Sequence, residues 1–540
     1  MASTTATTQE RHPKGLYVLF GTEMWERFGF YTMLAMLTLY MRDAAQGFGW
    51  TTAQATGVYS WYQTLVYATP LIGGWLADRY LGYRNAISIG GLFFMAGYFL
   101  LAVPKNVPLF YLALGLLVIG NGFFKPNVSS MVGNLYKEGS HLKDRAYLIF
   151  YMGINIGAFI APIIAEYVQA SSGFNLAFAV AGVGMIICLG IFWGFRKHTR
   201  FADRPRKGDF MPEGTTPKDH ADAVAVTADV PPTANAKQDA MEAVPEWKRI
   251  LALIVIFLIV IVFWMIFHQN GSTLTFWAND NTDWEVTGII SNAINPFWII
   301  TLSLPLAWFW GFLDRRGKEP STPMKMAFGM TLTGVSLLVL YFAALAGGFT
   351  KPAVQVVAPG PAPGQVYVSA APDLVEDLGV TAQPVQIQDQ RPSTLRALEA
   401  GETAPIVAGY LANAGTSTAE PGEYAAVEQA EAGSLLLAQV SKVSPMWLVL
   451  AYFVISLGEL MLSPMGLALV SKVAPPRMRG LMMGGWFLAT AIGNKLTAIG
   501  AFWDVWSHAR FFLTLALMAF VMAIVLFLLI RPLKKAMPGV

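Results

Sequence analysis

The sequence predicts an all-α membrane protein with twelve transmembrane helices in two six-helix bundles. Of its 540 residues, 55% are hydrophobic and only 13% are charged, whereas soluble domains carry about 25% charged residues. Uncharged runs such as 250–267 and 511–530 approach the roughly 20 residues that cross a bilayer as a helix. Lys and Arg also cluster in alternate loops, which is typical of a chain that crosses a membrane repeatedly.

Apolar length and helix breakers place the individual helices. Cations such as Arg79, Lys143, Arg196, Arg315 and Lys472 fall in even-numbered loops. Because Lys and Arg collect in short cytoplasmic loops, we expect both termini in the cytoplasm and a multi-pass protein of the plasma (inner) membrane. The expected helices span residues 16–41, 56–77, 85–103, 108–131, 145–169, 174–195, 249–278, 288–312, 323–346, 444–471, 480–502 and 509–530.

Two segments interrupt the helical pattern. One is rich in Ala, Pro, Asp and Lys without apolar periodicity, as in a flexible linker. The other is acidic on balance; its pieces AVQVV, GQVYVSA and PVQIQ indicate small strands, and residues 420–440 are compatible with a helix. The expected organisation is a cytoplasmic tail (1–15), a first bundle (16–200), a cytoplasmic linker (201–247) and a second bundle (248–540) with an extracytoplasmic insertion (347–443) between helices 9 and 10.

Composition argues against several other classes of protein. The net charge is +3 and the cations are scattered, which argues against a nucleic acid partner. Cys188 is the single cysteine, so neither an intrachain disulfide nor a cysteine metal site is expected. The polar N-terminus indicates no cleaved signal peptide. The insertion has no nucleophile with a paired base, no metal-spaced cluster and no phosphate-binding glycine loop, so no catalytic or metal site is assigned and no enzyme is expected.

Helix 1 carries three ionisable residues at membrane depth, where a charge costs several kcal/mol unless it is paired or hydrated. Glu23, Glu26 and Arg27 stand at positions i, i+3 and i+4, which places them on one helix face. Arg27 can neutralise one carboxylate, and the surplus carboxylate can take up a proton. We interpret the cluster as a proton-coupling group; a structural ion cluster is the alternative.

The chain also contains an internal repeat. After helix 2 it reads GGWLADRYLGYR, and after helix 8, its counterpart in the second half, it reads GFLDRRGK. Two parallel six-helix repeats would place a short turn with Asp, Arg and Gly at these equivalent points. The first copy resembles the loop signature of the major facilitator superfamily.

A set of motifs resembles one family of that superfamily, the proton-dependent oligopeptide transporters. TEMWERFGFY in helix 1 is similar to the family signature Glu-x-x-Glu-Arg-Phe followed by aromatic residues. The resemblance covers every helical region but neither the linker nor the insertion. The remaining motifs, in the order expected for the family, are GGWLADRYLG, GNGFFKPN, FYMGINIG, INPFW and GELMLSPMGLALVSKVAP.

The resemblance implies a major facilitator fold with a substrate cavity between the bundles. In that family the helix 1 motif takes part in proton coupling, a helix 4 lysine holds the peptide carboxylate and a helix 10 glutamate holds the peptide ammonium. Lys125 and Glu459 match those positions, and a zwitterion needs both signs of charge in a poorly hydrated pocket. Ordinary helix packing is the alternative for the other pocket positions. Those positions are Tyr31, Tyr67, Asn155, Asn295 and Trp486.

Two departures from the family pattern occur together. Leu34 replaces a second helix 1 arginine, and His268 replaces the helix 7 acid that pairs with it. Losing one partner would leave an unpaired buried charge at a cost of roughly 3 to 5 kcal/mol, whereas losing both is compatible with a stable bundle. We hypothesise that His268 titrates in place of the acid and tunes transport to pH; a neutral hydrogen-bonded histidine is the alternative. Gln63 replaces a proton-sensing histidine of animal relatives, which leaves helix 1 as the main proton site.

Together these features predict a proton-coupled symporter that imports di- and tripeptides by alternating access. It is expected to need no cofactor beyond the coupling proton and to work as a monomer in the lipid bilayer. A helix 7 histidine is also similar to the plant nitrate-transporting branch of the family, so nitrate or another small zwitterionic solute is the alternative within this class. A membrane receptor or enzyme acting through residues 347–443 is the alternative from another class.

Overall fold

The structure, a computed structural model, is helical throughout its membrane part. It describes residues 12–136, 142–203, 241, 243–350, 442–475 and 478–538, together with six strands between residues 354 and 436. Nearly all of the linker and the ends of the chain lie outside the described residues. The predictions made for these segments therefore stay predictions.

The first bundle contains six helices. Its last two form one continuous stretch, Leu142–Gly194, which is divided at Gly173. The φ of 84° at Gly173 lies in the left-handed region that interrupts a right-handed helix. The helices are α1 (Lys14–Arg42), α2 (Thr52–Leu76), α3 (Tyr83–Leu101), α4 (Val107–Asn134), α5 (142–172) and α6 (174–194).

The second bundle also contains six helices, and one of them is broken. Its first helix continues through a 3-10 turn (His268–Gly271), a short α-turn (Thr273–Phe276) and a π-turn (Trp277–Asn281). A 3-10 turn, Gly288–Ala293, leads into the next helix, and another, Thr497–Phe502, extends the fifth. The helices are α7 (Glu246–Phe267), α8 (Ile294–Asp314), α9 (Thr322–Ala346), α10 (Met446–Val473), α11 (Arg479–Leu496) and α12 (His508–Ala536).

Most of these twelve described helices begin and end within a few residues of the predicted positions. The prediction was wrong for the end of α7, which stops at Phe267 instead of residue 278 because the chain passes into 3-10 and π-turns there. It was six residues off at the start of α8, the end of α11 and the end of α12. Eight helical stretches among the described residues are long and apolar enough to cross a membrane by length and composition. One of the eight, Arg145–Gly194, contains both α5 and α6. The helices outside this set are α1, α2 and α11, which place polar residues on faces that the bundle buries.

Polar caps and close glycine contacts explain the local geometry. Thr51 and Gln54 form a reciprocal capping box at the start of α2, with N···O distances of 3.1 and 3.3 Å. A Cβ on Gly73 of α2 would overlap the carbonyl group of Gly122 in α4. Small residues allow helix backbones in membranes to approach this closely.

The two predicted repeat turns share a backbone feature. Gly82, after α2, has a φ of 77°, and Gly317, after α8, has a φ of 64°. Only glycine adopts this region without a steric cost. The repeated glycine therefore meets the same conformational requirement at both points.

The insertion between α9 and α10 contains an antiparallel sheet. Its strand order is β4-β3-β5-β2-β1-β6, and β1, β2 and β3 coincide with the pieces predicted as strands. Within 420–440, the described residues form only strand β6; the rest of the expected helix lies outside the described residues. The strands are β1 (Val354–Pro359), β2 (Gln365–Ser369), β3 (Ala382–Gln388), β4 (Arg396–Ala397), β5 (Ile406–Asn413) and β6 (Leu435–Leu436).

The two bundles meet at one end of the molecule. We call this the closed end; it comprises residues 38–63, 166, 268–288 and 494–508. The hydrogen bonds between the described parts of the two bundles all lie within it. In the predicted topology the closed end is the one opposite the cytoplasm.

Candidate substrate and proton site

The three ionisable residues of α1 form a buried cluster in which the two carboxylates are not equivalent. Arg27 donates from Nη2 to Oε1 of Glu26 at 2.7 Å and from Nε to the other oxygen of the same carboxylate. Glu23 Oε1 lies 3.5 Å from Arg27 Nε, and Glu23 Oε2 is buried with no hydrogen-bond partner among the described residues. Glu26 is therefore the paired carboxylate, and Glu23 is the surplus one.

Lys125 supplies a positive charge from the middle of α4. Its Nζ lies 4.9 Å from the centre of the Tyr67 ring on α2, a cation–π geometry. The side chain is half-buried, and within the described ranges no carboxylate comes within 4 Å of it. Glu23 and Lys125 interact electrostatically, which links the surplus acid of α1 to this lysine.

Glu459 supplies a negative charge from α10 in the other bundle. Its Oε2 accepts a hydrogen bond of 3.0 Å from Nδ2 of Asn295, and the same amide nitrogen donates to Ser456 Oγ at 2.9 Å. The phenol groups of Tyr31 and Tyr151 are close enough to Glu459 to interact with it electrostatically. Asn295 therefore positions the Glu459 carboxylate next to tyrosines of the first bundle.

Tyr67 connects the two charged groups. Its ring forms the cation–π contact with Lys125, and its hydroxyl interacts electrostatically with Glu459. Tyr67 thus lies near both charged groups, and each bundle contributes one of them. Charges of opposite sign placed in this way can hold the two ends of a zwitterion.

Two other predicted pocket residues, Asn155 and Trp486, contact neighbours within their own bundles. Asn155 is buried and donates from Nδ2 to the carbonyl oxygen of Tyr151, one turn earlier in α5, at 2.9 Å. Trp486 is buried within the second bundle, where its ring meets Gly466 of α10 and lies edge-on to Phe257 of α7 at 6.3 Å. Neither Lys125 nor Glu459 is among the contacts described for Trp486, so its place in the pocket stays a prediction.

His268 lies in the break of α7 and faces α2. Its Nδ1 is 3.4 Å from Gln63 Nε2, its ring stacks on Trp264 at 5.3 Å, and its backbone oxygen accepts from the Tyr59 hydroxyl at 3.1 Å. The direction of the hydrogen bond between Gln63 and His268 Nδ1 depends on which ring nitrogen carries the proton of the neutral imidazole. The other ring nitrogen, Nε2, is buried without a partner in the described structure.

Gln63 was not expected to contact His268. The signal in the sequence is the spacing of Tyr59, Gln63 and Tyr67, which places three polar side chains on one face of α2. This face lies against the break in α7, because both Tyr59 and Gln63 contact His268.

The closed end contains an ion pair that the sequence did not predict. Arg42, at the end of α1, pairs with Asp280 after α7, with an N···O distance of 3.2 Å. The Arg42 guanidinium also lies 4.2 Å from the centre of the Phe276 ring. The bundles are therefore held together here without the ion pair that Leu34 and His268 replace.

A second unpredicted contact lies between α5 and α8. Glu166 accepts the backbone N–H of Thr287 at 2.7 Å and the Thr287 hydroxyl at 2.5 Å. Thr287 is the N-cap of the 3-10 turn that leads into α8. A carboxylate at a helix N-terminus is favoured by the exposed N–H groups and the helix dipole, so Glu166 ties one bundle to the start of a helix in the other.

Comparison with known proteins identifies the family. The family model described as POT family matches residues 84–216, 214–369 and 423–506, which is more than half of the chain. The chain belongs to the POT family. Its members are transporters and not enzymes, and they need no cofactor, as the sequence motifs implied.

Individual relatives cover almost the whole chain. Uncharacterized transporter YclF of Bacillus subtilis (strain 168) is 28% identical over 98% of this chain and 96% of its own length. The Di-/tripeptide transporter of Lactococcus lactis subsp. lactis (strain IL1403) is 26% identical over 98% of this chain and 97% of its own length. A crystal structure of a mutant peptide transporter POT in complex with alafosfalin is 29% identical, with a TM-score of 0.70 over 98% of this chain and 96% of that one.

These comparisons confirm the predicted fold class. The solved relatives are transporters of the POT family type, and the twelve described helices follow their architecture along nearly the full chain. The protein is a membrane transporter whose membrane part is all-α, with two six-helix bundles, and its described strands are confined to the insertion.

Proposed function

We propose that the protein is a proton-coupled symporter that imports di- and tripeptides by alternating access. The observation that carries this proposal is that Lys125 and Glu459, one on each bundle, both interact with Tyr67. A short peptide has a carboxylate and an ammonium group, and opposite charges on the two bundles match both ends. The name of the Lactococcus lactis relative, Di-/tripeptide transporter, supports the same substrate class.

The proton in this proposal binds to the cluster of α1. Glu23 is the acceptor because its carboxylate has a free buried oxygen, whereas Glu26 is held by Arg27. Protonation of Glu23 removes a negative charge close to Lys125, which frees the lysine to pair with a substrate carboxylate. Proton binding and substrate binding then favour each other, as coupling requires. His268 is proposed as a second titrating group in this pathway.

The proposed orientation places both termini in the cytoplasm of a cell whose plasma membrane holds the protein. The closed end then faces outward. A monomer contains both charged walls of the cavity, so we propose that it is the functional unit. For substrate to enter from outside, Arg42 must separate from Asp280, and Glu166 must separate from Thr287.

Uptake into proteoliposomes tests the proposal. With an imposed proton gradient, the wild type should accumulate a labelled dipeptide, and Lys125→Ala and Glu459→Ala should each reduce the rate at least tenfold because one end of the zwitterion loses its partner. Lys534→Ala and Glu285→Ala, at exposed positions away from the cavity, are matched controls that should keep the rate. Full uptake in either cavity variant contradicts the two-ended model.

Nitrate or another small solute is the second candidate for the substrate. It is favoured by one observation: His268 interacts electrostatically with Lys125, and its buried Nε2 has no hydrogen-bond partner among the described residues, so it can donate to an anion. Competition distinguishes the candidates, since excess dipeptide, but not nitrate, should block uptake of the labelled dipeptide. Proton-driven uptake of nitrate without uptake of dipeptides would replace the peptide proposal.

A further inference from the structure

Lys495 is a charged residue on the membrane-facing side of α11. The exposed residues of this helix recur at helical spacing: Leu488 is 57% exposed, Ile492 41% and Leu496 44%. Lys495 is seven residues after Leu488 and three after Ile492, so it shares their face. An ammonium group on such a face is costly unless an anion or water meets it.

The protein itself supplies only neutral partners for this ammonium. Lys495 Nζ donates to Ser60 Oγ on α2 at 3.2 Å and lies 4.3 Å from the centre of the Trp61 ring. Across the residues that the structure describes, no carboxylate lies within 4 Å of it. The positive charge therefore remains without a counter-ion at a junction between the two bundles.

An apolar groove lies beside this charge. It separates α2 from α4 on the outer surface of the first bundle and has a volume of about 990 Å³. Trp61 contributes to the groove and to the Lys495 contact alike, so the two features are continuous. The groove residues are mostly apolar or aromatic and include Trp50, Trp61, Leu65, Tyr111, Leu114 and Val118.

The depth of Lys495 suits a lipid headgroup. It precedes Phe502, the last residue of the 3-10 extension of α11, by seven residues. With a rise of 1.5 Å per α-helical residue and about 2.0 Å per 3-10 residue, its Cα lies about 13 Å below the end of the helix. A lysine side chain can extend from such a position to the phosphate level while its methylene groups remain in an apolar environment.

We propose that Lys495, Trp61 and the groove between α2 and α4 form a binding site for an anionic phospholipid, with the buried Ser60 hydroxyl holding the Lys495 ammonium in place. The phosphate pairs with the Lys495 ammonium, and an acyl chain occupies the groove. A lipid with net negative charge is favoured over a zwitterionic one because Lys495 has no other counter-ion. The site spans α2 of one bundle and α11 of the other, so a bound lipid links the bundles at the closed end. The inference rests on the transporter being in a bilayer and not on the identity of its substrate.

Lipid binding to the full-length protein tests the site. The purified transporter is titrated with phosphatidylglycerol or phosphatidylcholine in detergent, and bound lipids are counted by native mass spectrometry. The wild type should bind one phosphatidylglycerol more tightly than phosphatidylcholine, and Lys495→Gln should weaken that binding about tenfold. Lys495→Arg should retain the preference because it keeps the charge. Lys105→Gln, at an exposed lysine of the α3–α4 loop, is the matched control.

Several outcomes would overturn the site. The first is an equal affinity of the wild type for both lipids, and the second is an unchanged preference in Lys495→Gln. If Lys495→Gln lowers thermal stability, Leu65→Trp, which fills the groove and keeps the lysine, provides the second variant; it should also weaken phosphatidylglycerol binding. Lipid binding, not dipeptide uptake, is measured here. A failure of the peptide proposal would therefore appear in uptake alone, and a failure of the lipid site in lipid binding alone.

Discussion

At the scale of single residues, the two carboxylates of α1 differ in what their removal would do. Glu26 neutralises Arg27 through two hydrogen bonds, whereas Glu23 makes only one longer approach to the same guanidinium. Breaking a buried ion pair by removing one partner costs roughly 3 to 5 kcal/mol. Glu26 is therefore expected to matter for stability, and Glu23 for proton coupling.

Glu23→Gln should abolish gradient-driven uptake while keeping exchange of labelled for unlabelled peptide across the membrane. Glu26→Gln should instead lower the midpoint of thermal unfolding, because Arg27 loses its closest counter-charge. Both variants are measured by uptake, exchange and unfolding in the same detergent preparation. Equal loss of stability in the two variants would show that the structural ion cluster, the alternative interpretation, is correct.

His268 carries a separate prediction about pH. An unperturbed histidine titrates between about pH 5 and 8, so His268→Gln should flatten the dependence of uptake on pH in that interval without loss of the fold. His198→Gln, at a histidine on the turn after α6, is the control. A wild-type profile in His268→Gln would favour the neutral histidine that Gln63 holds by hydrogen bonding.

At the scale of helices, the closed end depends on close packing between α2 and the broken part of α7. A Cβ at Gly271 would overlap the Tyr59 hydroxyl, and the Gly271 carbonyl oxygen accepts from the Thr38 hydroxyl at 2.9 Å. Overpacking costs typically 1 to 3 kcal/mol. An added Cβ at Gly271 therefore destabilises the closed conformation, because the contact with Tyr59 joins the two bundles.

Gly271→Ala should therefore shift the transporter towards opening at the closed end, by a factor of about 5 to 150 in the equilibrium constant. Spin labels at Ala45→Cys and Val286→Cys, exposed positions on opposite bundles, report the separation. The native Cys188 is buried and does not compete for label. Gly190→Ala, where a Cβ meets nothing within 4 Å, should leave the distance unchanged. Identical distances in both variants would exclude this packing as the determinant of closure.

Helix positions could be predicted from sequence because each depends on local apolar length. The approach of Glu23 to Arg27 was predictable for a similar reason, since positions i and i+4 are neighbours on a helix surface. The tighter pair of the adjacent residues Glu26 and Arg27 does not follow from that spacing. The break in α7 was missed although the sequence signals it, because the apolar run ends at Phe267 and a polar stretch with a glycine, HQNGST, follows.

Contacts between bundles could not be predicted in the same way. Glu166 and Thr287 are 121 positions apart, and their meeting depends on how two whole bundles pack. Neither residue belongs to a periodic pattern that would indicate a partner. The burial of Trp486 against Gly466 could not be predicted either, because it depends on the angle between α10 and α11.

At the scale of the whole molecule, the closed end gathers charges from three separate parts of the chain. Arg42 ends α1, Asp280 follows α7, and Asp504 lies in the loop between α11 and α12. Burial raises the pKa of Asp504 above its usual 3.8; Arg42 opposes this rise and Asp280 adds to it. Asp504 Oδ1 is buried without a hydrogen-bond partner among the described residues. The closed conformation thus favours the protonated form of Asp504.

The sign of the resulting pH dependence follows from linkage. In an open conformation water reaches the loop and the pKa of Asp504 falls back towards 3.8, so the closed conformation binds the proton more tightly. Acidification should therefore stabilise closure, and this contribution should disappear as the pH rises through the raised pKa.

Asp504→Asn imitates the protonated side chain, so it should favour closure and remove the pH dependence of the distance between labels at Ala45→Cys and Val286→Cys. Asp283→Asn, an exposed acid of the same end, should keep that dependence. A pH-dependent distance that persists in Asp504→Asn would assign the effect to another group, because Asp504 is then not the residue that exchanges the proton on closure.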